Sequence, residues 1–172
     1  LSGLSLNGPM AAGIPGVVAG IDYLVTHYGQ LSLQDILAPA IQQAKNGFIV
    51  TERYQKLIRY RKNIMQEYTS TASIFLKNNK IPKIGDFIVQ NDLAKTLSMI
   101  SENGSKSFYQ GIFAQKMVNS VQENGGIWET YDLEHYKIIE REPVTINYKG
   151  IKVTSVPPPS SGGVVLGQAL NI

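Results

Sequence analysis

Cysteine is missing altogether, which removes disulfides, thiol nucleophiles and thiolate metal ligands from a chain of 172 residues. Histidine is scarce. His27 and His135 are the two present, too few and too far apart for a metal site, so no metal and no cofactor is expected. No apolar run reaches the roughly 20 residues that span a bilayer, so no membrane partner is expected. Charge is also thin: charged residues are 17% of the chain and the net charge is +3, a weak pull toward nucleic acid. Low-complexity tracts are absent, and apolar residues make up 43%, enough to bury a real core. The chain opens on LSGLSLNGPM, with no starting Met, basic leader or apolar signal core; both ends read as cut, and a segment of a longer protein is expected.

What is present is a helical pattern punctuated by glycine. Val17, Ile21, Leu24, Val25 and Tyr28 recur at helical spacing, with Pro15–Gly16 at the start and Gly29 as a left-handed stop. Ser32 caps the next helix, whose apolar face reads Ile36, Leu37, Ala40, Ile41 and Ala44, ended by Gly47. Pro39 lies inside it and is expected to kink or split it. Thr51 caps a third helix with Tyr54, Leu57, Ile58 and Met65 inward. TASIFLKNNKIPKIGDFIVQ reads as a short helix and an irregular stretch. Asn91 then caps a helix with the stripe Leu93, Leu97 and Ile100, stopped by Gly104. A further helix carries Phe113, Met117, Val118 and Val121 and ends at Gly125.

Near residue 143 the apolar period changes from 3.6 to 2. Val144, Ile146 and Tyr148 share a face, and Ile151 and Val153 follow the Lys149–Gly150 turn, which predicts a β-hairpin. The expected class is α+β, predominantly helical with a C-terminal β-hairpin. It is organised as one partial domain over 1–172, with a helical region over 15–136 and a hairpin and helix start over 143–172.

In SVPPPSSGG (155–163) prolines, serines and glycines follow a strand-like run, which raises a catalytic serine turn or a phosphate-cradling loop. A nucleophile elbow needs G-x-S-x-G, and Ser160 and Ser161 lack that spacing and have no histidine base nearby in sequence. A Walker A loop needs a Lys after its last glycine, and the G-x-G-x-x-G fingerprint is missing too. The preferred reading is a connection stiffened by proline and turned by glycine, ahead of a helix start near Gly163 whose unpaired N–H groups attract anions. The basic run Arg53, Lys56, Arg59, Arg61 and Lys62, interleaved with Tyr54 and Tyr60, offers an alternative: a helical nucleic-acid-binding or protein-interaction module on the face around residues 53–62. A solvated helix face accounts for the same charges and is preferred. Glu140, Arg141 and Glu142 suggest local ion pairing, and Trp128 an anchor for a short element. No catalytic residue is assigned.

In order along the chain, AAGIPGVVAG (11–20), YGQLSLQDILAPAIQQAKNGFIV (28–50), GDFIVQNDLAKTLSMISENGSKSFYQG (85–111), NGGIWETYDLEHYKIIEREPV (124–144) and Y-K-G-x-x-V before PPPSSGG (148–163) resemble the γ-glutamyltranspeptidase family. The resemblance covers about Ala11 to Ile172 and corresponds to the C-terminal half of that family's large subunit. It implies part of an N-terminal-nucleophile hydrolase with an αββα sandwich, autoprocessed into two subunits. It further implies transfer or hydrolysis of the γ-glutamyl group of glutathione and related amides, and a periplasmic or secreted location. The implied nucleophile is an N-terminal threonine in a T-T-H-like motif, which this chain lacks; Thr69, Thr71 and Thr130 are internal. The substrate-gripping R-E-x-x-P motif is also missing, since Arg141-Glu142-Pro143 has the wrong spacing. The chain is therefore expected to be inactive alone. Its implied partners are the rest of the large subunit, the small subunit and, for the parent, a γ-glutamyl substrate such as glutathione, with no nucleic acid. Ser160, Ser161, Gly162 and Gly163 are expected to form a wall of the substrate cleft.

Overall fold

A computed structural model describes residues 3–172, and these form two compact units, one through Lys137 and one over Ile138–Ile172. The first unit is helical. Its helices are α1 (Val17–Tyr28), α2 (Leu33–Asn46), α3 (Glu52–Glu67), α4 (Thr69–Phe75), α5 (Asn91–Asn103), α6 (Lys106–Tyr109), α7 (Gly111–Glu123) and α8 (Thr130–Glu134). Caps set several boundaries where the sequence predicts them. The Ser32 hydroxyl accepts the Asp35 N–H at 3.1 Å, and Thr51 Oγ1 accepts the Tyr54 N–H at 3.2 Å. Gly47 and Gly104 close α2 and α5 at φ 79° and 72°.

Several expectations fail, each for a local reason. Gly29 is extended (φ −79°, ψ 152°), not left-handed, although its N–H still bonds back to Val25. Pro39 does not split α2, which runs unbroken past it; caps at both ends and burial of Leu37 and Ala44 along α5 outweigh one lost backbone bond. Asn91 is the first residue of α5, with Gln90 ahead of it, and among the described residues no side chain caps that end. The face of α1 is rotated from the one predicted: Val17 is 71% exposed and Leu24 58%, while Val18 and Ala19 pack against the core. Polar anchors choose that face. The Tyr109 hydroxyl donates to Pro15 O at 2.5 Å and accepts the Ala19 N–H at 3.2 Å, and Asp22, on the same side, accepts from the Ser105 N–H and Oγ. Ile36, Ala40, Leu57 and Leu93 are likewise exposed, and Leu33, Ala94 and Ala114 take inward places instead.

The main core of this unit joins Leu37, Ile100, Phe108, Tyr109, Ala114, Val118, Trp128 and Leu133. Trp128 does anchor a short element: it is buried, its Nε1–H donates to Ala12 O at 3.0 Å, and its own carbonyl accepts from Gln122 at 2.6 Å. Directly after it, α8 opens on a reciprocal box in which the Glu129 N–H donates to Asp132 and the Glu129 side chain accepts in return. The stretch read as irregular contains a strand: β1 (Phe48–Ile49) pairs antiparallel with β2 (Phe87–Ile88), in the register Phe48 to Ile88.

Asp86 ties down the loop before β2. Its carboxylate accepts from Lys77 Nζ at 2.9 Å and from the Lys83 N–H at 2.8 Å. The Lys77 hydrogen bond, then that of Lys83, holds its pKa below the ordinary 3.8. A depressed folded-state pKa gives stability that is full above the unfolded value and is lost as pH falls through the folded one. The acid limb below pH 3.8 is thus expected to carry an Asp86 component that Asp86→Asn removes, flattening the melting temperature against pH in that window; an unchanged slope would contradict it.

The second unit is the predicted hairpin and helix. β3 (Val144–Tyr148) pairs antiparallel with β4 (Ile151–Ser155), matching Ile146 with Val153 and Tyr148 with Ile151. Lys149 and Gly150 both have positive φ, 48° and 83°, which suits the right-handed twist of the strands. The Gly150 N–H donates to Asn147 Oδ1 at 3.0 Å. α9 (Gly162–Leu170) packs on the hairpin with Gly167 against Ile146. The ion pairing expected around Arg141 does not form; among the described residues the ion pairs are Lys77–Asp86 and Lys95–Asp92.

Candidate functional site

The four residues expected to wall a cleft, Ser160, Ser161, Gly162 and Gly163, form the turn that converts β4 into α9. The prolines ahead of them supply no donors, so the turn is closed by later groups. The Ser160 N–H donates to Pro157 O at 3.2 Å, and Ser160 Oγ accepts the Gly162 N–H at 3.3 Å. The first bond into the helix is Val165 N–H to Ser161 O at 2.9 Å. This leaves the N–H groups of Gly163 and Val164 with no acceptor among the described residues. Ser160, Ser161 and Gly162 are exposed and Gly163 is buried, its Cα side pressed on Val156 O.

Chemically, the turn presents hydroxyls and helix-end N–H groups with no acidic side chain in the first turn of α9. Groups of this kind can donate hydrogen bonds to a carbonyl or carboxylate oxygen and do not themselves move a proton. Both histidines are engaged elsewhere: His27 Nδ1 lies 2.9 Å from Tyr23 O and His135 Nδ1 3.0 Å from Tyr131 O, each ring stacked on that tyrosine. A serine–histidine reading of this turn has no base to use.

The basic face of α3 loses its aromatic half. Tyr60 is 76% exposed, but Tyr54 turns inward and meets Phe48 edge-on at 5.2 Å. Burial pushes the Tyr54 phenol pKa up, and its hydroxyl has no hydrogen-bond partner among the described residues. Two interleaved aromatic platforms for bases are therefore not presented, and the charges belong to a solvated helix face.

Sequence reading missed a cleft of about 860 Å³ in the first unit, where Asn7, Gly8, Arg61, Tyr68 and Asn124 converge from the ends of separate elements. No single-element pattern marks such a place. A second, of about 660 Å³, lies along α5 beside Lys45, Lys95 and Glu102.

A family model described as gamma-glutamyltranspeptidase matches residues 2–172. The glutathione hydrolase proenzyme of Escherichia coli strain K12 is 40% identical over 169 residues, covering 98% of this chain and 29% of that protein. Among solved structures, the gamma-glutamyltranspeptidase of Helicobacter pylori superposes with a TM-score of 0.96 at 39% identity, over 99% of this chain and 49% of that one. The Bacillus anthracis transpeptidase enzyme CapD gives 0.82 at 36%, over 92% of this chain and 54% of that one. The chain thus spans about 30% of the length of the curated relatives it matches.

Proposed function

The chain belongs to the gamma-glutamyltranspeptidase family, and from that premise we infer that it is a non-catalytic scaffold segment of an enzyme acting on γ-glutamyl compounds. The parent, an N-terminal-nucleophile hydrolase, transfers or hydrolyses the γ-glutamyl group of glutathione and related amides. It does so through the hydroxyl of an N-terminal threonine outside this chain. Such a nucleophile uses its own α-amino group as base, so neither His27 nor His135 is needed. The family match over residues 2–172 carries the reading.

The chemistry of the β4–α9 turn supports this reading. Ser160, Ser161, Gly162 and Gly163 form a cleft wall whose free N–H groups face an oxygen of the substrate or its acyl intermediate, while the nucleophile comes from elsewhere. The two units serve as one partial domain, partnered by the rest of the large subunit and by the small subunit. Exposed apolar side chains such as Leu24, Tyr28, Val165 and Leu166 support such partners, because an isolated chain leaves them wet. No helix among the described residues is long and apolar enough to cross a membrane. A periplasmic or secreted location follows from the family resemblance.

The test compares the full-length protein with this chain on a γ-glutamyl anilide. The full-length protein is expected to cleave itself and release the aniline, and the chain alone to release none. Turnover by the chain alone, or a full-length protein that stays intact and inert, would overturn the reading.

A further inference from the structure

Four Asn–Gly pairs occur in the chain, at Asn7–Gly8, Asn46–Gly47, Asn103–Gly104 and Asn124–Gly125. The pair has intrinsic chemistry. Without a Cβ to obstruct it, the glycine nitrogen reaches the preceding side-chain amide carbon. A new C–N bond forms there, the nitrogen gives up its proton, and ammonia leaves, producing a five-membered succinimide. Water then opens either carbonyl and yields aspartate or isoaspartate, with no change of oxidation state.

Three of the pairs are held away from that path by helix ends. The Gly47 N–H is bonded to Gln43 O at 2.9 Å, Gly104 to Ile100 O at 2.8 Å and Gly125 to Gln122 O at 2.9 Å. Their asparagine side chains are tied as well, Asn103 to Met99 O at 3.0 Å, Asn124 to Ser120 O at 2.8 Å and Asn46 to Gln42 at 3.4 Å. An attacking nitrogen must first break its bond, and the amide must first turn.

The fourth pair is arranged in the opposite way. The Gly8 N–H donates to no group among the described residues, and Gly8 adopts φ 80° before a proline. Asn7 Oδ1 accepts from the Arg61 guanidinium at 3.3 Å, so the amide is gripped by its oxygen and not by its leaving nitrogen. Arg61 draws electrons from the carbonyl and stabilises the negative oxygen that develops as the ring closes. It forms no ion pair among the described residues, so its charge is available.

We propose that Asn7–Gly8 is a self-modification site, where the unengaged glycine nitrogen and the Arg61-polarised amide convert asparagine to aspartate or isoaspartate. The carboxylate formed at position 7 then meets Arg61 in the 860 Å³ cleft that both residues line, replacing a hydrogen bond between a cation and a neutral amide by an ion pair. The modification depends on time and pH and needs no second protein.

Peptide mass mapping of the full-length protein, aged at neutral and at mildly alkaline pH, tests this. The native peptide holding Asn7 is expected to convert at least about tenfold faster than those holding Asn46, Asn103 and Asn124, the factor that one closed hydrogen bond imposes on each protected site. The rate should rise with pH, because the nitrogen attacks after losing its proton. In denaturant the four rates should converge, since helix ends and the Arg61 contact are then gone. Arg61→Gln should slow Asn7 severalfold in the native protein and leave the denatured rates alone. Equal native rates at the four pairs would overturn the proposal, as would a native Asn7 rate unmoved by Arg61→Gln.

Discussion

Trp128→Ala is expected to remove a large share of the stability of the helical unit. The indole is 9% exposed and belongs to the core with Leu37, Phe108, Val118 and Leu133. Truncating a buried tryptophan costs about 3–5 kcal/mol through lost transfer energy and the cavity left behind. The variant also loses the indole N–H bond to Ala12 O, for roughly a further 1 kcal/mol. Against a whole-domain stability of about 5–15 kcal/mol, that is a large share. Trp128→Phe separates the two contributions, keeping most of the apolar area and losing the N–H donor. It should cost much less, on the order of 1–2 kcal/mol. Denaturant unfolding followed by far-UV circular dichroism measures both, because the substitution deletes this chain's one indole fluorophore. A Trp128→Ala midpoint within about 0.5 kcal/mol of the parent, the range of ordinary surface changes, would mean the indole does not hold this core.

That core shows how far a one-dimensional reading reaches. Element type followed from capping and period: Ser32, Thr51, Gly47 and Gly104 bound their helices, and Lys149–Gly150 turns the hairpin. The facing of α1 did not follow, because its apolar residues surround the helix. The choice of Val18 and Ala19 over Val17 and Leu24 is made by Tyr109, ninety residues away from Ala19. A periodicity argument sees apolar spacing, whereas the docked face is picked by a hydroxyl that bonds Pro15 O and the Ala19 N–H and by Asp22 meeting Ser105. The same limit hid β1 and β2, two residues each, which exist through pairing across nearly forty positions. Pro39 shows the converse, a local rule outweighed by tertiary packing. At the candidate site, the residue types of PPPSSGG lack the spacing of a nucleophile elbow. The donors at Gly163 and Val164, without an acceptor among the described residues, emerge only once the turn's hydrogen bonds are placed.

The turn makes a graded prediction. Gly163→Val is expected to damage both the second unit and the parent enzyme's turnover, whereas Gly167→Ala and Ser160→Ala should be mild. A Cβ at Gly163 would stand 2.5 Å from Val156 O and 3.3 Å from Ser155 Cβ, and a backbone oxygen fixed between a strand and a turn cannot swing aside. At Gly167 the nearest atom is Ile146 Cδ1, at 2.7 Å, the free end of a side chain with other rotamers. Overpacking of the first kind costs about 1–3 kcal/mol and pushes the start of α9 outward. If Ser160–Gly163 wall the cleft as inferred, a displacement near 1 Å lowers turnover of a γ-glutamyl anilide by about 100-fold. Ser160→Ala removes one 3.3 Å bond at an exposed position and should cost less than about 1 kcal/mol. Self-cleavage, read on a gel, and kcat, read on the cleaved fraction, must be measured separately in each full-length variant. Gly163→Val with unchanged melting temperature and unchanged kcat would show that neither the close approach nor the cleft role holds. Loss of stability with kcat preserved on the cleaved fraction would keep the packing argument and remove this turn from the substrate's surroundings.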